Sequence, residues 1–272
     1  MTRIEQFGWR HAVEPGLGRV VSAHGDYYHL VCNEQPEGEV LARKKKSAFR
    51  EAAPPMTGDF VRFRYNESGE SLVLEVLPRF SHFERQDPGA RRSSQTLAVN
   101  FDTLFLMMSL NENFSLPRLE RYLALARDVG DADVVVVLTK SDLPSAAGLA
   151  TPDDLPCRVL RISCLTGEGL DAVRGYARPG RTVAFVGSSG VGKSTLLNTL
   201  AGEELAATQE IQAWSGKGRH TTTSRELVML PCGTMVLDTP GVREIGRVGE
   251  TDELLAKGES THRWRKSSKC AT

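Results

Sequence analysis

Cysteine is scarce and forms no pairing pattern. The 272 residues include five, Cys32, Cys157, Cys164, Cys232 and Cys270, and none stands in a C-x-x-C spacing. An odd, scattered set argues against a disulfide framework and fits a reducing cytoplasm. Long apolar runs are also missing. None approaches the ~18–20 residues needed to span a bilayer, and the opening Met1-Thr-Arg-Ile-Glu-Gln has no apolar signal core. Nor is there an excess of one charge. Lys+Arg and Asp+Glu are both 34, so the formal net charge is zero. Overall charge therefore gives no argument for nucleic acid, though it says nothing against local basic patches. The expectation is a soluble cytoplasmic protein with no membrane partner. At 272 residues it has room for one or two domains of ~100–200 residues each.

Residues 1–85 read as β-rich. Arg19-Val-Val-Ser-Ala-His, Tyr27-Tyr-His-Leu-Val-Cys, Asp59-Phe-Val-Arg-Phe-Arg-Tyr and Ser71-Leu-Val-Leu-Glu-Val-Leu look like short strands, with Gly-containing turns between them. This spacing predicts a small all-β barrel, an OB-fold being one option. Pro78 to Arg92 is polar and reads as a linker. From about residue 97 the rhythm changes. Phe101-Asp-Thr-Leu-Phe-Leu-Met-Met and Val134-Val-Val-Val-Leu138 are continuous apolar runs that suit buried parallel strands. Arg158 to Ile162, Thr182 to Val186 and Met235 to Asp238 follow, with helical patterns between them. This alternation predicts a doubly wound, mostly parallel α/β sheet over 86–248. Residues 249–272 form a short polar tail.

Gly187-Ser188-Ser189-Gly190-Val191-Gly192-Lys193-Ser194 fits G-x-x-x-x-G-K-[ST], between an apolar strand and an apolar helix that opens at Thr195. Glycines let backbone N–H groups wrap phosphates, and the helix N-terminus adds partial positive charge. Lys193 is expected to reach the β- and γ-phosphates, and Ser194 to ligate Mg²⁺. Downstream, Asp238-Thr-Pro-Gly241 ends a strand. A carboxylate there suits the Mg²⁺ site, and the Gly241 N–H can meet the γ-phosphate. Between the two lies Gly218-Arg-His-Thr221-Thr-Thr223. One of its threonines, with Thr222 as the candidate, would ligate Mg²⁺ in a switch loop. The same stretch also reads as a polar linker.

Thr139-Lys140-Ser141-Asp142 ends the run Val134 to Leu138. An Asp carboxylate there can accept both N1–H and the 2-amino N–H of guanine. Adenine lacks those donors and would leave the carboxylate unpaired. The Lys140 stem can cover the base. Alone, T-K-x-D also reads as a polar strand end. Ser163 and Cys164 follow another strand and offer backbone N–H groups for guanine O6.

Together these pieces resemble Ras-like P-loop GTPases, but with the last two motifs placed first, as in the circularly permuted GTPases. Permutation is tolerable because domain termini lie close together at the surface. Among these the chain is most similar to the ribosome small-subunit-dependent GTPases, the RsgA family. The likeness runs over roughly 18–246 and includes Val76-Leu-Pro-Arg-Phe, Leu97-Ala-Val-Asn-Phe-Asp-Thr, Leu119-Glu-Arg-Tyr-Leu-Ala-Leu-Ala, the phosphate loop and Gly218-Arg-His-Thr-Thr-Thr. It implies an OB-fold ahead of the GTPase domain. It also implies Mg²⁺-dependent GTP hydrolysis raised by the small ribosomal subunit, and a role in late maturation of that subunit. The partners implied are that subunit, its rRNA and GTP, met by a monomer.

Three departures stand out. Thr139 stands where the family often has Asn, and Leu165 is third in the S-A-K-like loop. The family's zinc extension has three cysteines and a histidine, whereas beyond Gly241 this chain offers His262 and Cys270. A structural zinc needs about four ligands, so no zinc site is expected. Val242 occupies the position of the water-orienting Gln in Ras-like proteins, which leaves His220 as the candidate to position water. A histidine exposed on a switch loop with no catalytic part is the plain alternative. Arg43-Lys-Lys-Lys46 with Arg50 would meet rRNA phosphates or form a solvated loop. Two functions compete: a ribosome-stimulated GTPase, and a GTP-dependent ribosome- or RNA-binding module that hydrolyses little.

Overall fold

The computed structural model describes residues 1–49, 52–86, 94–149, 155–202 and 226–237. After a short helix α1 (Arg3–Gln6) come five strands: β1 (Leu17–His24), β2 (Tyr27–Cys32), β3 (Val40–Lys44), β4 (Phe60–Arg64) and β5 (Ser71–Val76). They close into a barrel in the order β1-β2-β3-β5-β4. Only the β3–β5 pair is parallel; the other neighbours are antiparallel. Closure leaves no open sheet edge, as in OB-type barrels. Val20, Leu30, Val40, Ala42, Phe63 and Val73 fill the interior. In β3, Val40 and Ala42 point inward while Leu41 and Arg43 are exposed, the period of a half-buried strand.

The segment read as a linker contains structure. Strand β6 (His82–Gln86) pairs antiparallel with β7 (Ser94–Val99). Phe83, Leu97 and Ala98 are buried in the core that follows, so the hairpin is held by packing that a polar composition conceals.

The second unit is a six-stranded sheet in the order β10-β9-β8-β11-β13-β12. Its strands are β8 (Thr103–Ser109), β9 (Asp133–Thr139), β10 (Arg158–Arg161), β11 (Thr182–Val186), β12 (Leu227–Met229) and β13 (Met235–Leu237). All pairings are parallel except β12 with β13 at the edge. Every residue of β8 and β11 is buried, as expected for strands covered on both faces. Alternate residues of β8 serve opposite cores. Leu104, Leu106 and Met108 pack with Leu119 and Tyr122 of α2 (Leu116–Leu125). Phe105 and Met107 pack with Val173 of α3 (Leu170–Arg174) and Leu196 of α4 (Lys193–Ala201). Helix α2 starts where Ser115 accepts from Arg118 N and Pro117 enters the first turn, a regular N-terminal cap.

Arg19 joins the two units. It lies on β1 and is 1% exposed. It donates to Phe7 O at 2.5 Å, Asn100 O at 2.7 Å and Thr182 Oγ1 at 3.0 Å, and its guanidinium sits 4.7 Å from the centre of the Phe60 ring. Burial, then the nearby positive charge of Arg10, pushes its pKa down to about 9. Beside it, Asp102 accepts from Thr182 N and Arg181 Nη1, both at 2.7 Å, and pairs with Arg10. This joint lies at the starts of β8 and β11, away from the strand ends where the motifs cluster.

Candidate nucleotide site

Parallel strands deliver their C-terminal ends to one edge of the sheet, where α/β folds bind ligands. Here the ends of β9, β10 and β11 carry Thr139, Ile162–Ser163 and Gly187. The sheet thus brings together the three motifs that the sequence separates.

The loop 187–192 leaves β11 under tight steric control. A Cβ built on Gly187 would sit 2.8 Å from Met107 O and 3.0 Å from Val191 Cγ1, too close for any side chain. Val191 is 1% exposed and anchors the loop in the core. Gly190 and Gly192 have φ of +75° and +99°, which favours glycine. A Cβ on Gly190 would meet nothing within 4 Å, so the outer side of the loop is an open cradle. Helix α4 starts at Lys193, with Ser194 and Thr195 exposed in its first turn. The Lys193 ammonium folds over the loop and donates to Gly187 O, and to Ser188 O at 2.9 Å.

Thr139 ties this loop to the neighbouring strand. Its hydroxyl donates to Val191 O at 2.7 Å, with Met108 O a longer second acceptor at 3.3 Å. Lys140 then turns through φ +61°, an uncommon conformation for a side chain with a Cβ. The turn sends Ser141 N back to Ile162 O at 3.0 Å and leaves Asp142 exposed. Next door, Ser163 is fully buried. Its Oγ accepts from Leu165 N at 3.2 Å and Thr166 N at 3.1 Å, shaping the loop from inside. Burial raises the pKa of the Cys164 thiol, opposed by a hydrogen bond with Thr199 of α4. Leu165 is 86% exposed. Sequence reasoning passed over Glu168, which accepts from Ser141 Oγ at 2.9 Å. The signal was the polar Thr166-Gly-Glu turn after Ser163.

Glycine-shaped backbone, a helix start and a lysine are the parts that polyphosphate sites use, and Ser194, an expected Mg²⁺ ligand, is exposed in the first turn of that helix. The other expected Mg²⁺ ligands, Thr222 and Asp238, lie outside the described residues, as do His220, Gly241, His262, Cys270 and the tail 249–272. Among the described residues no group of three or more His, Cys, Asp or Glu is placed to hold a metal. Among them, too, no helix is long and apolar enough to cross a membrane.

Comparison with known proteins identifies the family and the fold. The family model of the RsgA GTPase matches residues 76–248. A small ribosomal subunit biogenesis GTPase RsgA 2 of Lactiplantibacillus plantarum is 43% identical over 84% of this chain and 66% of its own length. A small ribosomal subunit biogenesis GTPase RsgA of Leptospira interrogans is 37% identical over 92% of this chain and 72% of its own. The chain therefore spans about two thirds to 72% of the length of these relatives. In fold it is similar to the crystal structure of YjeQ from Thermotoga maritima, with a TM-score of 0.58 and 24% identity over 84% of this chain and 76% of that one. It is also similar to YloQ, described as a circularly permuted GTPase, with a TM-score of 0.52 and 22% identity over 85% and 74% of the two chains. The chain belongs to the RsgA GTPase family and is a GTP hydrolase of circularly permuted fold.

Proposed function

We propose that this chain hydrolyses GTP in response to the small ribosomal subunit and acts late in the maturation of that subunit, in the cytoplasm and as a monomer. The reading divides it into a barrel (1–85), a GTPase domain (86–248) and a tail (249–272). The observation that supports it most is the Thr139–Val191 hydrogen bond. It joins the candidate base-reading segment to the phosphate loop at one sheet edge.

In this reading Asp142 accepts N1–H and the 2-amino group of guanine, and Lys140 covers the base. The Cys164 backbone N–H meets O6, whereas that of Ser163, also expected there, is already given to Glu168 O at 3.0 Å. The loop from Gly187 to Gly192 wraps the phosphates, with Ser188, Ser189, Gly190 and Val191 supplying main chain. Lys193 exchanges Gly187 O and Ser188 O for phosphate oxygens, and Thr195 continues the helix start that faces them. Ser194, Thr222 and Asp238 hold Mg²⁺, and Gly241 N–H meets the γ-phosphate. Mg²⁺, when bound, offsets charge on the transferring phosphoryl group. His220 positions the attacking water, since Val242 cannot.

The barrel contributes the rRNA contact. Arg43 and Lys44 lie on β3 and continue into Lys45 and Lys46. Arg43 stacks 5.1 Å from the centre of the exposed Tyr27 ring. Glu70 and Asp26 pair with Arg43 and Lys44 at 3.2 and 2.8 Å, so these two cations are partly neutralised. Arg50, the remaining member, lies outside the described residues.

The test is phosphate release from GTP, titrated with small ribosomal subunits and repeated at higher salt. Stimulation that fades with salt is expected, because phosphate contacts release counterions. Equal turnover with and without subunits overturns the proposal. His220→Ala should keep GTP binding and lose most of the stimulated rate. Unchanged stimulation would remove His220 from the mechanism.

A further inference from the structure

The loop after β10 is braced against the Thr139–Asp142 segment by a side chain that belongs to neither motif. Glu168 accepts from Ser141 Oγ at 2.9 Å through Oε2. Through its main-chain oxygen it accepts from Ser163 N at 3.0 Å. One residue therefore grips the start of its own loop and the neighbour of Asp142. The loop is closed on itself as well, because Gly167 N donates to Ser163 O at 3.0 Å. Its end is pinned to β10. Gly169 has φ +71°, and a Cβ there would lie 2.2 Å from Arg161 O. Below this brace, Ser141 N and Ile162 O join the same two segments at 3.0 Å. The segments are thus linked at two levels, by main chain near the sheet and by the Glu168 carboxylate above it.

Main-chain bonds hold Ser141 N and close the Lys140–Leu143 turn at 3.2 Å, but neither holds the exposed side-chain edge of that turn, where Asp142 lies. The carboxylate is exposed, so its bond to Ser141 adds little to folding stability. Its position gives it another use. Asp142 and the Cys164 main chain must face the same purine from two sides, and their spacing decides whether both sets of bonds form together. We propose that Glu168 is a positioning residue for guanine recognition: by holding Ser141 to the Ser163 loop, it fixes the width of the slot between them. This rests on the guanine reading of Thr139–Asp142.

The test uses the full chain and competition against a fluorescent GDP, with GDP, IDP and ADP as competitors. IDP lacks the 2-amino group that Asp142 would accept. Glu168→Ala is expected to weaken GDP about three- to tenfold, the size of one hydrogen bond, and to narrow the GDP-over-IDP preference. Glu168→Gln keeps an acceptor oxygen and should restore both. Ser141→Ala should match Glu168→Ala, and the double variant should be no worse than either single one. Unchanged GDP affinity in Glu168→Ala overturns the proposal. So does an equal loss for GDP and IDP, or a fully additive double variant. A wild-type chain that binds ADP as tightly as GDP overturns the guanine reading together with the tether, whereas the other failures remove the tether alone.

Discussion

The Thr139 hydroxyl and the Val191 carbonyl lie 2.7 Å apart, both buried, and join the end of β9 to the middle of the phosphate loop. The donor sits 52 residues before its acceptor. Breaking this bond strands a buried carbonyl. Thr139→Val, which keeps the shape and removes the hydroxyl, should destabilise the fold by about 1–3 kcal/mol and weaken GDP as well. Thermal unfolding and GDP titration check this together. A stable Thr139→Val variant with normal GDP affinity would show that the bond is idle.

Lys193 rests on the carbonyls of its own loop and is expected to leave them for phosphate. Lys193→Ala should lower GTP turnover about a hundredfold or more, the typical size of one lost charge-stabilising donor. The unfolding midpoint should barely change. Phosphate release under single-turnover conditions is the measurement, and a rate within a fewfold of wild type would contradict the assignment.

Arg19 is a buried cation whose acceptors come from both units. Arg19→Met leaves Asn100 O and Phe7 O without this donor and should cost about 3 kcal/mol. Arg19→Lys should not restore the loss, because an ammonium cannot span acceptors that a planar guanidinium reaches at once. Denaturant unfolding followed by separate probes of barrel and sheet tests this. The variants should separate the two transitions if Arg19 couples the units, and coincident transitions at the wild-type midpoint would contradict it.

Cys164 offers a chemical probe of the site. Burial holds its thiol above the ordinary cysteine range, so little thiolate is present at neutral pH, and the thiolate is the nucleophile. Alkylation should be slower than for a free thiol at pH 7.5. It should speed up as pH rises toward the raised pKa, and bound GDP should block it. Peptide mapping after brief alkylation reads all three effects, and a rate unaffected by GDP would place Cys164 outside the nucleotide site.

Much of this was legible along the chain because it depends on local pattern. The run Thr103–Ser109 is apolar at every position but its ends, so it reads as a strand covered on both faces. Gly187 to Ser194 carries its chemistry within eight neighbouring residues. Thr139 was legible as a departure from the family's usual Asn, and the structure supplies the partner of its hydroxyl, Val191. Other features were hidden. The strand Val40–Lys44 was missed, because the basic run that begins at Arg43 masks the inward alternation of Val40 and Ala42. His82–Gln86 looked like linker because its charges conceal Phe83, whose burial depends on a core assembled from distant strands.

What residue order alone settles here is short in range: which segments are strands or helices, where glycine is needed, and which motif chemistry each loop carries. What depends on the closed fold is spatial. Val191 meets Thr139, Glu168 meets Ser141, and Arg19 meets Thr182 across 163 residues. No periodicity encodes such pairs. They arise because parallel strands bring their ends to one edge, and because a buried polar group must find its partner wherever packing places one.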